Sequence, residues 1–198
     1  MYEYRKLTPE QQQELVKERL RRGYPAHRPP HLALDHACYL LTAACYEHRP
    51  HMHTPQRRQQ ILDHLLAQFI SQEMAVIAWV ILANHYHLLV QVTKFDAIAN
   101  IFKQVHGRSS FEWNGEDNAR GRKVWYRYSD RLIRSERHYY TTLNYIHYNP
   151  VKHGLAKSPY GWQWSSVHWY LETHGREWLR DLWRRYPLRD YGENWDKS

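Results

Sequence analysis

Apolar and polar residues alternate along the chain in a way that separates helices from strands. Thr8, Pro9 and Gln11 supply an N-cap, a proline suited to the first helical position and a capping-box partner, so a short helix is expected to about Arg22, stopped by Gly23. The extended, Pro-rich GYPAHRPPH follows and puts a boundary near Pro30. ACYLLTAACY, from Ala37 to Tyr46, is short, apolar and β-compatible, and the polar EHRPHMHT after it reads as a loop. Thr54 and Pro55 repeat the helix-start signal, and Ile61, Leu62, Leu65, Leu66, Phe69 and Ile70 recur with helical period to about Gln72. AVIAWVILANHYHLLVQV predicts two strands broken at Ala83 and Asn84, a hairpin.

Asp96 opens another helix, with Ile98, Ile101, Phe102 and Val105 as its buried stripe and an expected end near Gly107. NGEDNARGRK then reads as a loop, and VWYRYSDRLIR as a strand or a pair of strands. Ser135 caps a helix carrying HYYTTLNYIHYN to Pro150, Gly154 is a stop, and turns and helix are expected around Trp162 to Arg185. The order β, α, β, β, α, β, α implies an α+β fold, a central antiparallel sheet of four to five strands flanked by helices. The expected organisation is a helix and linker over 1–30, a main domain over 31–160 and an aromatic, basic extension over 161–198.

Composition sharpens this picture. With 198 residues the chain can bury a full core without disulfides. Cys38 and Cys45 lie an odd number of residues apart in one strand, so they face opposite sides and do not bridge, consistent with a reducing cytoplasm. No signal peptide and no long apolar run is present, so no membrane partner is expected. A net charge of +8 favours a polyanion, and nine Trp and sixteen Tyr beside Arg and Lys are suited to gripping unpaired bases. Many of those rings are nonetheless expected to be core.

Two positions carry candidate chemistry. His85 and His87 sit two apart in a strand, so their rings leave one face of the sheet while Tyr86 leaves the other. Both interrupt an apolar run, and an unpartnered buried ring costs about 1–3 kcal/mol, so something must satisfy them; a metal is the favoured explanation, backbone carbonyls or solvent the alternative. His51 and His53 share the spacing but lie in a polar loop, and are expected to be ordinary surface residues. On the last core helix, Tyr139, Leu143 and Ile146 form the apolar face and Thr141, Tyr145 and Asn149 fall opposite, with His138 beside them. Periodicity alone does not single out Tyr145. Pro150 is expected to put Asn149 at a kink or a helix end.

NHYHLLV, followed by DRLIR, YIHYNPVKHGL and WQWSS, closely resembles the REP-associated tyrosine transposases, a branch of the HUH superfamily of single-strand endonucleases, over roughly Ala37 to Tyr170. The resemblance implies that His85 and His87 are paired metal ligands, that Tyr145 is the nucleophile and that Asn149 adds a polar ligand. It further implies cleavage and rejoining of single-stranded DNA near palindromic hairpins through a 5′-phosphotyrosine link, with Mg2+ or Mn2+ as cofactor. Hairpin or single-stranded DNA would be the partner, the state monomer or homodimer, and the location cytoplasmic, with the nucleoid. Ala83 departs from the family pattern, where proline more often precedes the Asn-His pair, and the segment to Pro30 lies outside the common core.

Forming phenolate from a group whose pKa is near 10 costs roughly 4 kcal/mol at neutral pH, so a proton acceptor is needed. His138 and His147 are candidates. Arg108, Arg120, Arg122, Lys123, Arg127, Arg131 and Arg134, interleaved with Trp113, Trp125, Tyr126 and Tyr128, suggest a DNA track, to which Lys152 is added; a solvated basic face is the plainer alternative. Two rival functions stand beside the enzyme: an idle nucleic-acid-binding module of the same fold, and a structural zinc protein, for which the cysteines are poorly placed.

Overall fold

The computed structural model describes residues 8–21 and 34–193. The chain divides into two units, one up to Ala33 and one from Leu34. In the first, helix α1 (Pro9–Arg21) begins with the expected reciprocal cap: the Gln11 amide N–H donates to Thr8 Oγ1 at 3.3 Å, and the Thr8 N–H to Gln11 Oε1 at 2.9 Å. Gly23 and the Pro-rich stretch lie outside the described residues.

The second unit is a four-stranded antiparallel sheet, β1 (Ala37–Ala44), β2 (Ala75–Ile81), β3 (His85–Val92) and β4 (Ser129–Leu132), in the order β2-β3-β1-β4. Helices α2 (Pro55–Ser71), α3 (Ala97–Glu116), α4 (Glu136–Lys152) and α5 (Val167–Arg185) flank it, an α+β fold. Thr54 caps α2 by accepting from the Arg57 N–H, and Ser135 caps α4 by accepting from the His138 N–H. The β2–β3 turn is the Ala83–Asn84 pair, with the Leu82 N–H donating to the His85 carbonyl at 2.9 Å.

Strand periodicity sorts the core into two layers. One sheet face sends Tyr39, Leu41, Tyr86, Leu88 and Val90 against Ile61, Leu65 and Phe69 of α2 and Ile98, Phe102 and Trp113 of α3. The other sends Leu40, Ala78, Val80 and Leu89 against Leu143 and Ile146 of α4 and Val167, Tyr170 and Leu179 of α5. Cys45 belongs to the first layer and Cys38 packs beside the second; both thiols are free, and burial pushes each up to about 12.

Three sequence expectations are corrected. Helix α3 does not stop near Gly107 but runs to Glu116. Gly107 has open space around it, and the added turns bury Trp113, whose indole N–H donates to Gln60 Oε1, while Glu116 meets Arg57. Tertiary packing outweighs the cost of one glycine. Pro150 does not end α4 either, since it lies in the last turn, which continues to Lys152 before Gly154 adopts φ +68°. Third, His51 is not a surface residue: it is buried, its carbonyl accepts from Arg57, and burial together with Arg122 lowers its pKa, whereas His53 is exposed. No described helix is long and apolar enough to cross a membrane.

Candidate active site

Strand β3 enters the sheet from the tight turn at Asn84, so His85 and His87 emerge on the face covered by α4, and Tyr86 on the opposite one. Helix α4 is buried nearly all round its middle because β2 and β3 lie on one side and α5 on the other. Its expected polar side is therefore not a solvent face: Tyr145 and Asn149 are both fully buried and point at the two histidines. The phenolic oxygen of Tyr145 lies 3.3 Å from His87 Nε2, and Asn149 Oδ1 lies 3.3 Å from His85 Nε2. Four groups from two elements, 58 to 64 positions apart in sequence, meet at one place.

Each imidazole is held from behind. Thr42 Oγ1, on the neighbouring strand β1 in register with His87, stands 2.7 Å from His87 Nδ1. Asn84 Oδ1 stands 2.8 Å from His85 Nδ1. The His153 ring packs edge-on to His85 at 4.9 Å. Above the phenol, the Tyr191 ring meets Tyr145 edge-on at 5.7 Å, and Gly192, at φ +78°, lies so close that a Cβ there would run into the Tyr145 ring. Lys152 Nζ sits 5.0 Å over the same ring and donates to the Gly192 carbonyl at 2.6 Å.

Whether this cluster suits a divalent ion is decided by its donors. Among the described residues, His, Cys, Asp and Glu nowhere gather in threes able to hold one, so the third donor here is an amide oxygen. The Asn149 Nδ2 is buried without a hydrogen-bond partner while its Oδ1 is aimed at an imidazole nitrogen. Two nitrogens, an amide oxygen and a phenolic oxygen form a mixed set that fits Mn2+ better than Mg2+, which prefers oxygen alone.

Neither predicted proton acceptor is at the phenol. His147 lies two residues past Tyr145, on another side of α4; it is fully buried, sits 3.2 Å from Ser166 Oγ, and burial pushes it down to about 3. His138 lies two turns before Tyr145, and its Nε2 is 3.1 Å from the Tyr191 hydroxyl. An imidazole that does stand within reach of the phenol is that of His87.

The predicted DNA residues are dispersed. Arg131, an exposed residue of β4, lies near the phenols of Tyr191 and Tyr145 at the edge of the site. Arg122 is committed to Asp117 at 2.6 Å and to Asn114, and Arg108 to Glu112 at 2.8 Å. Arg120 lies over the Phe111 ring and donates to the Phe111 carbonyl. Lys123 stands 4.4 Å over Tyr46 and 5.5 Å over Tyr126, near the end of β1 next to the histidine turn. Arg127 and Arg134 are exposed. Trp113 and Trp125 belong to the core. Sequence reasoning did not single out Thr42, His153 or Tyr191 and read Asn84 only as a turn residue. The adjacency of Asn84 to His85 was the one available signal.

No family model matches the chain. A protein of Haemophilus influenzae named "Putative REP-associated tyrosine transposase" is 32% identical over 102 residues, 46% of this chain. The chain spans 58% of that relative's length. A solved REP-associated tyrosine transposase, bound to a REP hairpin, superposes with a TM-score of 0.62 at 18% identity, covering 75% of this chain and 87% of that one. The chain resembles the REP-associated tyrosine transposases. At that identity the structural likeness speaks for the fold, and the α+β sheet described above is shared with that REP-associated transposase.

Proposed function

We propose that the chain is a metal-dependent HUH tyrosine transposase that cleaves and rejoins single-stranded DNA near palindromic hairpins, with Tyr145 as nucleophile. The observation that supports this most is the meeting of the Tyr145 phenol with His87 and of Asn149 with His85 in one buried cluster. In the proposed reaction the Tyr145 oxygen attacks a backbone phosphorus, forming a 5′-phosphotyrosine ester as the bond to the 3′ oxygen breaks. The phenolic proton leaves, and the departing 3′ oxygen ends as a hydroxyl. Attack on that ester by a second 3′ hydroxyl restores the phenol and joins strands without ATP, because the ester keeps the energy of the broken link.

The chain's own residues divide the work. His85, His87 and Asn149 would hold the divalent ion, which when bound neutralises the nonbridging phosphate oxygens. Lys152 places a cation against the Tyr145 ring, and Arg131 a second one nearby, where both would meet the phosphate of a bound strand. Tyr191 and Gly192 cover the phenol and must move aside for a phosphate to reach it. All four clustered groups come from one chain, an arrangement that serves a monomer or each half of a homodimer. Arg127, Arg134 and Lys123, at the surface, are proposed to meet DNA backbone, with Arg108, Arg120 and Arg122 joining only if their present bonds are exchanged for phosphate. A cytoplasmic location, with the nucleoid, goes with such a substrate.

The test is incubation of a labelled hairpin oligonucleotide with the protein and Mn2+, followed by denaturing electrophoresis. A slower-migrating protein-DNA adduct that disappears in Tyr145→Phe supports the enzyme. Cleavage that survives this change removes Tyr145 from the mechanism, and hairpin binding without any cleavage favours the idle binding module.

A further inference from the structure

The turn that delivers His85 to the site is unusually constrained. Glu47 and His48, in the 3-10 turn after β1, both adopt left-handed backbone geometry, at φ 54° and 51°. For non-glycine residues this is costly, and two in succession need a local reason. The outcome is that the His48 carbonyl faces Asn84, whose Nδ2 donates to it at 3.1 Å. The backbone of Asn84 is anchored to the same segment, its carbonyl accepting from the Cys45 N–H at 2.7 Å.

A carbonyl oxygen can only accept a hydrogen bond, so the NH2 of the Asn84 amide must be the end facing His48. Its oxygen is then the end facing His85 Nδ1 at 2.8 Å, and that oxygen too can only accept. His85 Nδ1 must therefore carry a hydrogen. A neutral imidazole has one N–H for two amide oxygens, and the shorter contact, 2.8 Å to Asn84 Oδ1, takes it; Nε2, 3.3 Å from Asn149 Oδ1, is left with its lone pair. Thr42 imposes no such choice on His87, because a hydroxyl both donates and accepts. The polarity of the site is thus set from the His48 carbonyl, one residue at a time.

We propose that Asn84 is a positioning residue: by accepting from Nδ1 it fixes His85 as the tautomer whose Nε2 is an acceptor, so that His85 and Asn149 present two lone pairs to one point. This deepens the proposed reading of the metal cluster and rests on it. Removing an outer partner of a ligating histidine typically weakens metal binding about 10- to 100-fold.

Nitrogen-15 NMR on the metal-free wild-type protein is expected to show His85 protonated at Nδ1. Mn2+ titration of the Asn84→Ala variant is expected to show binding weakened about 10- to 100-fold. The Asn84→Asp variant, which keeps an acceptor beside Nδ1, is expected to retain both the tautomer and most of the affinity. Nε2–H in the wild type overturns the proposal whatever the variants do. So does a folded Asn84→Ala variant with unchanged tautomer and affinity, or an Asn84→Asp variant as weak as Asn84→Ala. A wild-type protein that takes up no Mn2+ defeats the metal reading separately, while the tautomer spectrum still decides the role of Asn84.

Discussion

Each face of strand β3 takes part in a buried tyrosine-histidine contact, Tyr86 with His106 on one side and His87 with Tyr145 on the other, and the two pairs differ in what surrounds them. On the α2 and α3 side, the Tyr86 hydroxyl lies 2.6 Å from His106 Nε2, and the His106 ring is stacked between Phe102 and Trp125. On the α4 side, the Tyr145 hydroxyl lies 3.3 Å from His87 Nε2, with His85, Asn149 and Lys152 gathered around it. The first is a short pair enclosed by rings, which satisfies both partners and leaves no converging donors. The second is longer, has polar groups converging on it, and includes an amide nitrogen with no partner. Burial and a Tyr-His contact are common to both; convergence of acceptor atoms belongs to the second alone. That difference is the physical basis for assigning chemistry to one side of the strand and support to the other.

The sharpest way to break the comparison is to remove each hydroxyl in turn. Tyr145→Phe is expected to lower adduct formation by roughly 10^4-fold or more, the scale seen when a covalent nucleophile is lost. Tyr86→Phe is expected to leave the cleavage rate essentially unchanged and to cost about 1–3 kcal/mol of stability, since His106 loses its partner. Gel quantitation and urea unfolding on both variants check this, and a large rate loss in Tyr86→Phe would erase the distinction.

Acid should also act on the closed pair. Burial pushes His106 down to about 3 from an ordinary value of 6.5, so its unfolded form takes up a proton first as pH falls. Its contribution to stability is complete above pH 6.5 and is progressively lost between 6.5 and about 3. Urea midpoints measured across that window should fall less steeply for His106→Gln than for the wild type; identical slopes would show that His106 is not the group being titrated.

Smaller effects are expected at the edges of the site. Gly192→Ala cannot keep the main chain against the Tyr145 ring, so the cover should loosen and adduct formation rise severalfold in the same gel assay; a slower reaction would mean that Gly192 holds Tyr145 in place instead. Lys123→Ala, near the histidine turn, should reduce the salt dependence of hairpin binding by about one unit of slope, with little change in sequence preference. An unchanged slope would leave Lys123 out of the DNA contact.

How much of this was visible in the chain itself follows from the range of the forces involved. The α1, α2 and α4 starts were legible because Thr8, Thr54 and Ser135 act on N–H groups three residues away. The shared face of His85 and His87 was legible because a strand has a period of two. Helix α3 was cut short at Gly107 because the reason it continues, Trp113 against Gln60 and Glu116 against Arg57, lies more than 50 positions away. The polar side of α4 could be read only as surface or site for the same reason: nothing local shows that His85 and His87 of β3 lie against Tyr145 and Asn149. His147 looked like a proton acceptor by proximity in sequence, yet two residues along a helix is a turn of about 200°. Thr42, in register with His87, became visible only once β1 and β3 were paired. The partners among the basic residues, such as Asp117 for Arg122, were equally out of sight.

Tyr86 on β3 and Tyr145 on α4 each bring a buried hydroxyl to a histidine nitrogen, and of the two Tyr145 alone is assigned reactivity. Peptide mapping by mass spectrometry of the adduct formed between a hairpin oligonucleotide and the wild-type protein in Mn2+ tests that assignment most directly. The expected result is a nucleotide phosphate on the peptide containing Tyr145 and on no other. Attachment at Tyr191, Tyr86 or any other tyrosine would contradict it.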